Sequence, residues 1–212
     1  MSIFERPIVM LDFETTGLSP AMGDRITEVA ALRIVGGQVT ERYVSLVNCN
    51  ARIPSFITGL TGITQEMVDA APSVRQVVPE LLDFIGTDAL SAHNASFDEK
   101  FLVAESERLG RACGHVGLVC SLKLSRRMFP GMPSYKLGTL SRQLGIAFRS
   151  AAHRAEADAE VAAEVLIHIG RHIGSSYGLP QVAPDLLVSI NKLSAAKVPT
   201  WLGKYAAEKK AG

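Results

Sequence analysis

A run of apolar residues that ends in two acids constrains the fold of this chain more than any other stretch. Residues 8–11 are Ile-Val-Met-Leu, and Asp12-Phe13-Glu14 follows directly. A continuous apolar run of this length is typical of a strand that is buried on both faces in the middle of a sheet. Because side chains alternate along a strand, Asp12 and Glu14 should project from the same face. The run therefore predicts a central strand whose end presents two carboxylates to one side.

Two carboxylates on one face of a strand, with Cα atoms roughly 7 Å apart, repel each other. A divalent cation would keep both ionised, and ligands that are all oxygen favour Mg²⁺ or Mn²⁺. Thr15-Thr16-Gly17 then turns the chain, and we expect its backbone N–H groups to be free to meet a ligand. For an isolated Asp-x-Glu, two solvated acids at a strand end would be the better interpretation. The metal hypothesis therefore depends on further carboxylates elsewhere in the chain.

Composition limits the class of protein. The chain has 212 residues, of which 47% are hydrophobic, and this is enough for one sizeable α/β domain with a short extension. The net charge of +1 means that any contact with nucleic acid must come from a local patch. The three cysteines show no Cys-x-x-Cys spacing and are interpreted as reduced thiols of a cytosolic protein. With neither a signal peptide nor an apolar run of transmembrane length, we expect a cytoplasmic location and no membrane partner.

Apolar periodicity predicts a mixed sheet with intervening helices. Residues 26–35 and 38–47 are predicted strands joined by a Gly36-Gly37 hairpin turn, and with the first strand they form an antiparallel meander. Residues 89–93 follow a helix and should run parallel to the first strand, while 116–120 form the last strand. Longer helices are predicted over residues 73–85, 96–109, 121–128, 139–144 and 155–173.

Local signals refine these elements. Residues 51–72 should be a loop with short helical turns, with Thr64 capping one of them. Pro79 should kink or restart its helix, because proline cannot donate a helical hydrogen bond. The helix that begins near Ala155 is expected to end at Ile173, before Gly174.

Two further polar clusters are candidates for the missing carboxylates. Asp98 opens a helix, where interaction with the helix dipole is a common alternative role. His93, at the end of a strand, is more often a satisfied core histidine than a ligand. Farther along, Asp158 lies among alanines that would let its helix pack closely on the sheet and present the carboxylate inward. His153 lies five residues earlier, and in isolation His153 and Arg154 would be interpreted as a solvated basic loop.

Together the three clusters resemble the histidine branch of the DEDD superfamily of 3′–5′ exonucleases, which includes the proofreading epsilon subunit of bacterial DNA polymerase III. The resemblance covers roughly residues 7–173 and extends to Thr61-Gly62-Ile63-Thr64 and to Ser134-Tyr135-Lys136-Leu137. One departure is Cys120-Ser121, where many relatives carry Asp-Thr.

The resemblance implies an α/β fold of the ribonuclease-H-like type, with a five-stranded mixed sheet flanked by helices. The exonuclease domain would span residues 1–176, and residues 177–212 would form a C-terminal extension that is partly apolar and then basic. The implied cofactors are two divalent cations, Mg²⁺ or Mn²⁺. Asp12 would bridge them, Glu14 and Asp158 would complete the first site, and Asp98 would support the second. His153 would act as general base, near neutral pH, in releasing nucleoside 5′-monophosphates.

The implied partner is nucleic acid with a free 3′ end, and a DNA polymerase subunit is a candidate partner protein. Substrate contacts are expected from a set of turn, loop and aromatic residues: Thr15, Thr16, Gly17, Leu18, Gly62, Ile63 and Phe97. A basic stretch that could follow the phosphates, or simply be a solvated face, comprises residues 123, 126, 127, 136, 142, 149 and 154.

Two alternatives remain at this point. The same residues could trim RNA 3′ ends, or the chain could be a catalytically silent, polymerase-associated binding module. The intact set of acids and histidine argues against a silent module.

Overall fold

A five-stranded mixed sheet forms the centre of the protein. The computed structural model describes residues 2–147 and 153–211. The strand order is β3-β2-β1-β4-β5, with β1 antiparallel to β2 and parallel to β4. This is the predicted arrangement, and the apolar run at residues 8–11 lies in its central strand. The strands are β1 (Ile8–Thr15), β2 (Ile26–Val35), β3 (Gln38–Leu46), β4 (Ala89–Ala92) and β5 (Leu118–Cys120).

Helices cover both faces of the sheet. Thr64 caps α2 as predicted, because its side chain accepts a hydrogen bond from the Met67 N–H. The helices are α1 (Ser55–Thr61), α2 (Gln65–Asp69), α3 (Val74–Ile85), α4 (Ala95–Arg108), α5 (Ser121–Met128), α6 (Leu137–Gln143), α7 (Ala155–Tyr177), α8 (Pro184–Lys192) and α9 (Val198–Ala211). Among the described residues, no helix is both long and apolar enough to cross a membrane.

The alternation of side chains along β1 separates two cores and orients the acids. Ile8 and Met10 belong to the core that contains the buried face of α7. Val9 and Leu11 belong to the opposite core, which contains α3 and part of α4. Since Asp12 continues the series of Ile8 and Met10, it projects toward the α7 side of the sheet.

Small residues let α7 approach the sheet closely. Ala155, Ala159, Ala162 and Ala163 are at most 1% exposed and pack in the same core as the α7-facing side of β1. This is the close packing that the alanine-rich pattern predicts, and it places Asp158, within the first turn of α7, beside the end of β1.

Residues after α7 pack on the same core. Val182 pairs with Phe4 in a parallel bridge, and Leu187 of α8 and Leu202 of α9 are fully buried. The predicted boundary after residue 176 falls within the last turn of α7, and a separate C-terminal extension stays a prediction.

Two local predictions about helices are wrong. The helix α3 continues through Pro79, so it does not restart there, because buried Val77 and Val78 before it and Leu81 after it outweigh one missing hydrogen bond; a kink at Pro79 stays a prediction. The helix α7 continues past Gly174 to Tyr177. Its glycines serve close packing instead of termination: a Cβ on Gly170 would lie 2.8 Å from Ile3 and Phe4.

Candidate active site

Three carboxylates converge where β1 ends and α7 begins. Asp12, Glu14 and Asp158 each offer an oxygen, and these atoms all lie within 4.8 Å of one another. Each of the three side chains is partly exposed. The strand alternation and the close approach of α7 produce this grouping, although Asp158 follows Glu14 by 144 positions in the sequence. A group of three oxygen donors at this spacing fits a hard divalent cation such as Mg²⁺ or Mn²⁺.

The crowding of acids disfavours their ionised forms. Burial raises the pKa of Asp12 well above its usual range, and the nearby carboxylates of Asp98, Asp158 and Glu14 raise it further. Burial, together with Asp158 and Glu28, raises the pKa of Glu14 to about 7. The pKa of Asp158 is also raised by burial. A bound cation would reverse these shifts, which supports the fit of this site to a metal.

Asp98 approaches the same place from α4. Its side chain is buried, and its Oδ1 accepts a hydrogen bond of 3.3 Å from the backbone N–H of Phe13, between the two acids of β1. Burial raises the pKa of Asp98 to about 8, although the N–H groups of Phe13 and of Asp98 itself oppose the shift. Asp98 is not one of the three carboxylates whose oxygens lie within 4.8 Å. Asp98 therefore lies beside the group of three carboxylates and is bound to the backbone of β1.

His153 lies immediately before the N-cap of α7 and is exposed. Its backbone N–H donates to Asp158 Oδ2 at 3.2 Å. Its φ of 64° is in the left-handed region, which non-glycine residues rarely adopt. The structure thus brings His153 next to Asp158, as the spacing of five residues predicts.

The turn after β1 is more tightly bonded than expected. The Thr16 N–H donates to the Arg25 carbonyl at 2.9 Å, so the prediction that this N–H is free is wrong. The β1–β2 ladder continues past an irregularity at Glu14/Thr15 and takes up this donor. A Cβ on Gly17 would clash with the Asp24 carboxylate unless that side chain moved.

The other candidate substrate contacts differ in their exposure. Leu18 is 78% exposed beside the site turn, and the Thr15 hydroxyl donates to the Gly17 carbonyl. Ile63 is fully buried, so its side chain packs in the core, while Gly62 is exposed and ends α1 in a left-handed conformation.

The side chains that flank Asp98 in the sequence have separate roles. Phe97 is half-buried against Phe101, with the Lys100 ammonium 4.7 Å from the centre of the Phe97 ring. His93 is a satisfied core histidine, because one ring nitrogen contacts the Ser121 hydroxyl and the other contacts the Tyr135 carbonyl, each at 2.9 Å.

An ion pair beside the site was missed by the sequence analysis. Glu28 of β2 lies opposite Glu14 in the β1–β2 ladder and is 3% exposed. Arg154 donates to both of its carboxylate oxygens, so it is not a solvated loop residue. The available signal was an acid within the apolar strand 26–35.

The basic stretch is partly used inside the protein. Arg127 donates to the backbone carbonyls of Leu193 and Asn191, and Arg154 is paired with Glu28. Arg149 lies outside the described residues. Fewer side chains of the basic stretch are therefore available to phosphates than the sequence suggests.

Replacing Asp98 with Asn should stabilise the metal-free protein at high pH. A carboxyl pKa raised from about 4 in the unfolded chain to about 8 in the folded protein means that the folded state binds the extra proton. The free energy of unfolding of the wild type therefore falls as the pH rises between these two pKa values. Asn does not titrate, so the variant lacks this contribution to the pH dependence. We expect a gain of roughly 1–3 kcal/mol at pH 8 and a much smaller gain at pH 5.

Urea unfolding in EDTA at the two pH values measures this difference. Asp83→Asn is the matched control, since Asp83 is exposed on α3, and it should change little at either pH. An Asp98→Asn protein that is less stable than wild type at both pH values would contradict the raised pKa of Asp98.

The fold and the carboxylate cluster define a class of protein. A ribonuclease-H-like sheet that brings acids from its central strand and from the following helices to one place is the architecture of the DEDD-superfamily nucleases, and the predicted resemblance and fold class are confirmed. The chain belongs to the Exonuclease (RNase T) family, whose sequence profile matches residues 9–166.

Similar proteins support this membership. The 3′–5′ exonuclease DinG of Bacillus subtilis is 38% identical over 151 residues, which are 71% of this chain and 16% of DinG. The PolC-type DNA polymerase III of Oceanobacillus iheyensis is 38% identical over 158 residues, or 74% of this chain and 11% of that protein. A structure of Exonuclease X in complex with 5′ overhanging duplex DNA superposes with a TM-score of 0.68 at 25% identity, covering 87% of this chain and 99% of the other. The chain thus spans less than a fifth of the two curated relatives.

Proposed function

We propose that the chain is a divalent-metal-dependent 3′–5′ exonuclease that hydrolyses phosphodiester bonds from the 3′ end of single-stranded DNA and releases nucleoside 5′-monophosphates. The observation that carries the proposal is the group of three carboxylates, Asp12, Glu14 and Asp158, with oxygens within 4.8 Å of one another. The choice of DNA is supported by the names of the similar proteins, which include a DNA polymerase and a nuclease bound to duplex DNA.

The carboxylates would hold the cofactor. Asp12, Glu14 and Asp158 would bind two divalent cations, Mg²⁺ or Mn²⁺. Asp98, which is bound to the backbone of β1, would support the second of these cations. When bound, such cations activate a water molecule and stabilise the leaving 3′ oxygen of an in-line displacement.

His153 would move the proton. His153 is exposed, it precedes Asp158 by five residues, and its backbone N–H donates to Asp158 Oδ2; from this place a ring nitrogen would accept a proton from the attacking water. Histidine suits this role because its ordinary pKa lies close to neutral pH.

The terminal nucleotide would be held beside the turn after β1. Leu18 offers an exposed apolar wedge, and Phe97 offers the part of its ring that is not packed on Phe101. Base–aromatic stacking of this kind tolerates any sequence, which suits an exonuclease. Thr15 and Thr16 directly follow Glu14, but both are buried, and their hydroxyls are bonded to the Gly17 carbonyl and the Arg25 N–H, so Leu18 and Phe97 carry the proposed contact with the terminal nucleotide.

A polymerase subunit is the partner protein that we propose. Its support is the PolC-type DNA polymerase III, in which the similar segment is part of a much longer chain. Co-purification of the chain with a replicative polymerase subunit tests this partner separately from the chemistry, and no co-purification would contradict it.

Digestion of matched oligonucleotides tests the activity. With Mg²⁺ or Mn²⁺, the protein should shorten 5′-labelled single-stranded DNA stepwise from its 3′ end, and Asp158→Asn should not. RNA of the same sequence and a duplex with a mispaired 3′ end are run in parallel. Shortening of RNA with DNA left intact would replace the proposed substrate. If all three substrates stay intact with both metals, the enzyme proposal is wrong.

A further inference from the structure

Glu28 is a buried carboxylate on β2 that the proposed chemistry does not use. Its side chain is 4% exposed, and both oxygens accept hydrogen bonds. Oε1 accepts from Arg154 Nη2 at 2.5 Å, and Oε2 accepts from Arg154 Nε at 3.1 Å and from the Ala155 N–H at 2.9 Å. Since donors of the protein occupy both oxygens, Glu28 is not free to act as a further metal ligand. Its contacts point instead to the start of α7.

The donors to Glu28 are the first residues of the helix that carries the site. Arg154 is the N-cap of α7 and Ala155 is its first residue. His153 directly precedes them, and Asp158 follows within the first turn and accepts the His153 N–H. One carboxylate on β2 therefore anchors the short segment that holds both the proposed general base and one of the three clustered acids.

We propose that Glu28 and Arg154 are positioning residues, which fix His153 and Asp158 against β1 in the geometry that hydrolysis requires. This inference rests on the proposed function. A two-point guanidinium–carboxylate pair fixes direction as well as distance, and it is strong when one partner is buried. Loosening it by a few tenths of an ångström would move His153 and Asp158 together, away from Asp12 and Glu14.

A second ion pair between the sheet and α7 provides a matched comparison. Arg42 of β3 contacts Glu156 and Glu160, which lie on either side of Asp158 along the helix. All three of these side chains are at least 25% exposed, and exposed pairs contribute little to geometry or stability. Arg42→Gln therefore removes an ion pair at nearly the same place on α7 without touching the proposed anchor.

Steady-state kinetics on single-stranded DNA tests the inference. Arg154→Lys keeps the positive charge but cannot form the two parallel hydrogen bonds, and Arg154 is 41% exposed, so folding should be retained. We expect kcat to fall roughly 10–100-fold, the usual effect of a residue that orients an active-site group, with KM changed less than about threefold. Glu28→Gln should behave in the same way, and Arg42→Gln should match wild type. In a His153→Ala background, Arg154→Lys should lower kcat less than it does in the wild-type background, because only its effect through Asp158 remains.

Amide hydrogen exchange in EDTA provides a readout that needs neither metal nor activity. The Ala155 amide, which donates to Glu28, should exchange about tenfold faster in Arg154→Lys and at the wild-type rate in Arg42→Gln. An inactive wild type would end the proposed function, while the exchange result would still test the anchor. An active wild type together with an unchanged kcat in Arg154→Lys and Glu28→Gln would overturn the positioning role.

Discussion

Replacement of Asp12 by Asn should lower the rate of 3′ degradation by on the order of 10³-fold or more. Burial raises the pKa of Asp12, and the carboxylates of Asp98, Asp158 and Glu14 raise it further, so Asp12 lies near each of the other acids. Asn lacks the negative charge and has an NH₂ group in place of one carboxylate oxygen, which weakens the binding of any cation held there, and metal-derived stabilisation of the transition state is worth several kcal/mol. The protein should remain folded, because Asn fills nearly the same space and relieves repulsion among the remaining acids.

Thermal unfolding distinguishes lost chemistry from lost structure in this variant. Millimolar Mn²⁺ should raise the melting temperature of the wild type, because an ion that binds only the folded state stabilises it by mass action. It should raise that of Asp12→Asn much less. The control Asp83→Asn should keep both full activity and the full Mn²⁺ shift. Equal Mn²⁺ shifts in wild type and Asp12→Asn would mean that the cation binds elsewhere.

Replacement of His153 should lower kcat by roughly 10²–10⁴-fold, the usual span for loss of a general base. Its ring is exposed and its only described link to the acids is the backbone N–H to Asp158. Removal of the ring should therefore leave metal binding and substrate binding almost unchanged. The Mn²⁺-induced rise in melting temperature and KM should both stay close to wild type.

The left-handed backbone at His153 decides which variants to compare. Ala tolerates a φ of 64° less well than His or Asn does, so a slow His153→Ala protein could have a displaced helix start. Asn tolerates this conformation better, and His153→Asn should be as slow as His153→Ala while melting closer to wild type. His172→Ala is the control, since His172 is 14 residues, or about 21 Å, along α7 from Asp158. Wild-type turnover in both His153 variants would show that the ring has no part in catalysis.

The sheet could be predicted because its signals are local. Each of the first three strands is a continuous apolar or alternating segment, and Gly36-Gly37 supplies the turn between the second and third. The rule that a strand after a helix runs parallel to its neighbour gave the direction of β4. Strand alternation alone was enough to place Asp12 and Glu14 on one face.

The predictions that failed are those where distant packing overrides a local rule. Pro79 and Gly174 are helix breakers in isolation, but α3 has a buried face on both sides of Pro79, and α7 continues past Gly174 to Tyr177, which packs partly buried on the core. The Thr16 N–H was expected to be free, and the residue that binds it, Arg25, can only be identified once the β1–β2 ladder is known.

The ion pair between Glu28 and Arg154 could not be predicted for the same reason. Its two residues are 126 positions apart, and no spacing rule connects an acid in a strand with a basic residue at a helix start. An acid within an apolar strand did signal a buried partner, since burying it alone is too costly. What the sequence could not indicate is that the partner lies next to His153.

The central claim is that the clustered acids support hydrolysis, by water, of the phosphodiester bond at the 3′ end. Digestion in ¹⁸O-enriched water tests this claim most directly, because it shows which product takes up the oxygen of water. Single-stranded DNA labelled in its 3′-terminal nucleotide is digested with Mn²⁺ in water enriched in ¹⁸O, and the earliest products are analysed by mass spectrometry. The account predicts nucleoside 5′-monophosphate carrying one ¹⁸O in its phosphate, formed by wild type and absent with Asp12→Asn. Nucleoside 3′-monophosphates, internal fragments as the earliest products, or equal release by Asp12→Asn would contradict it.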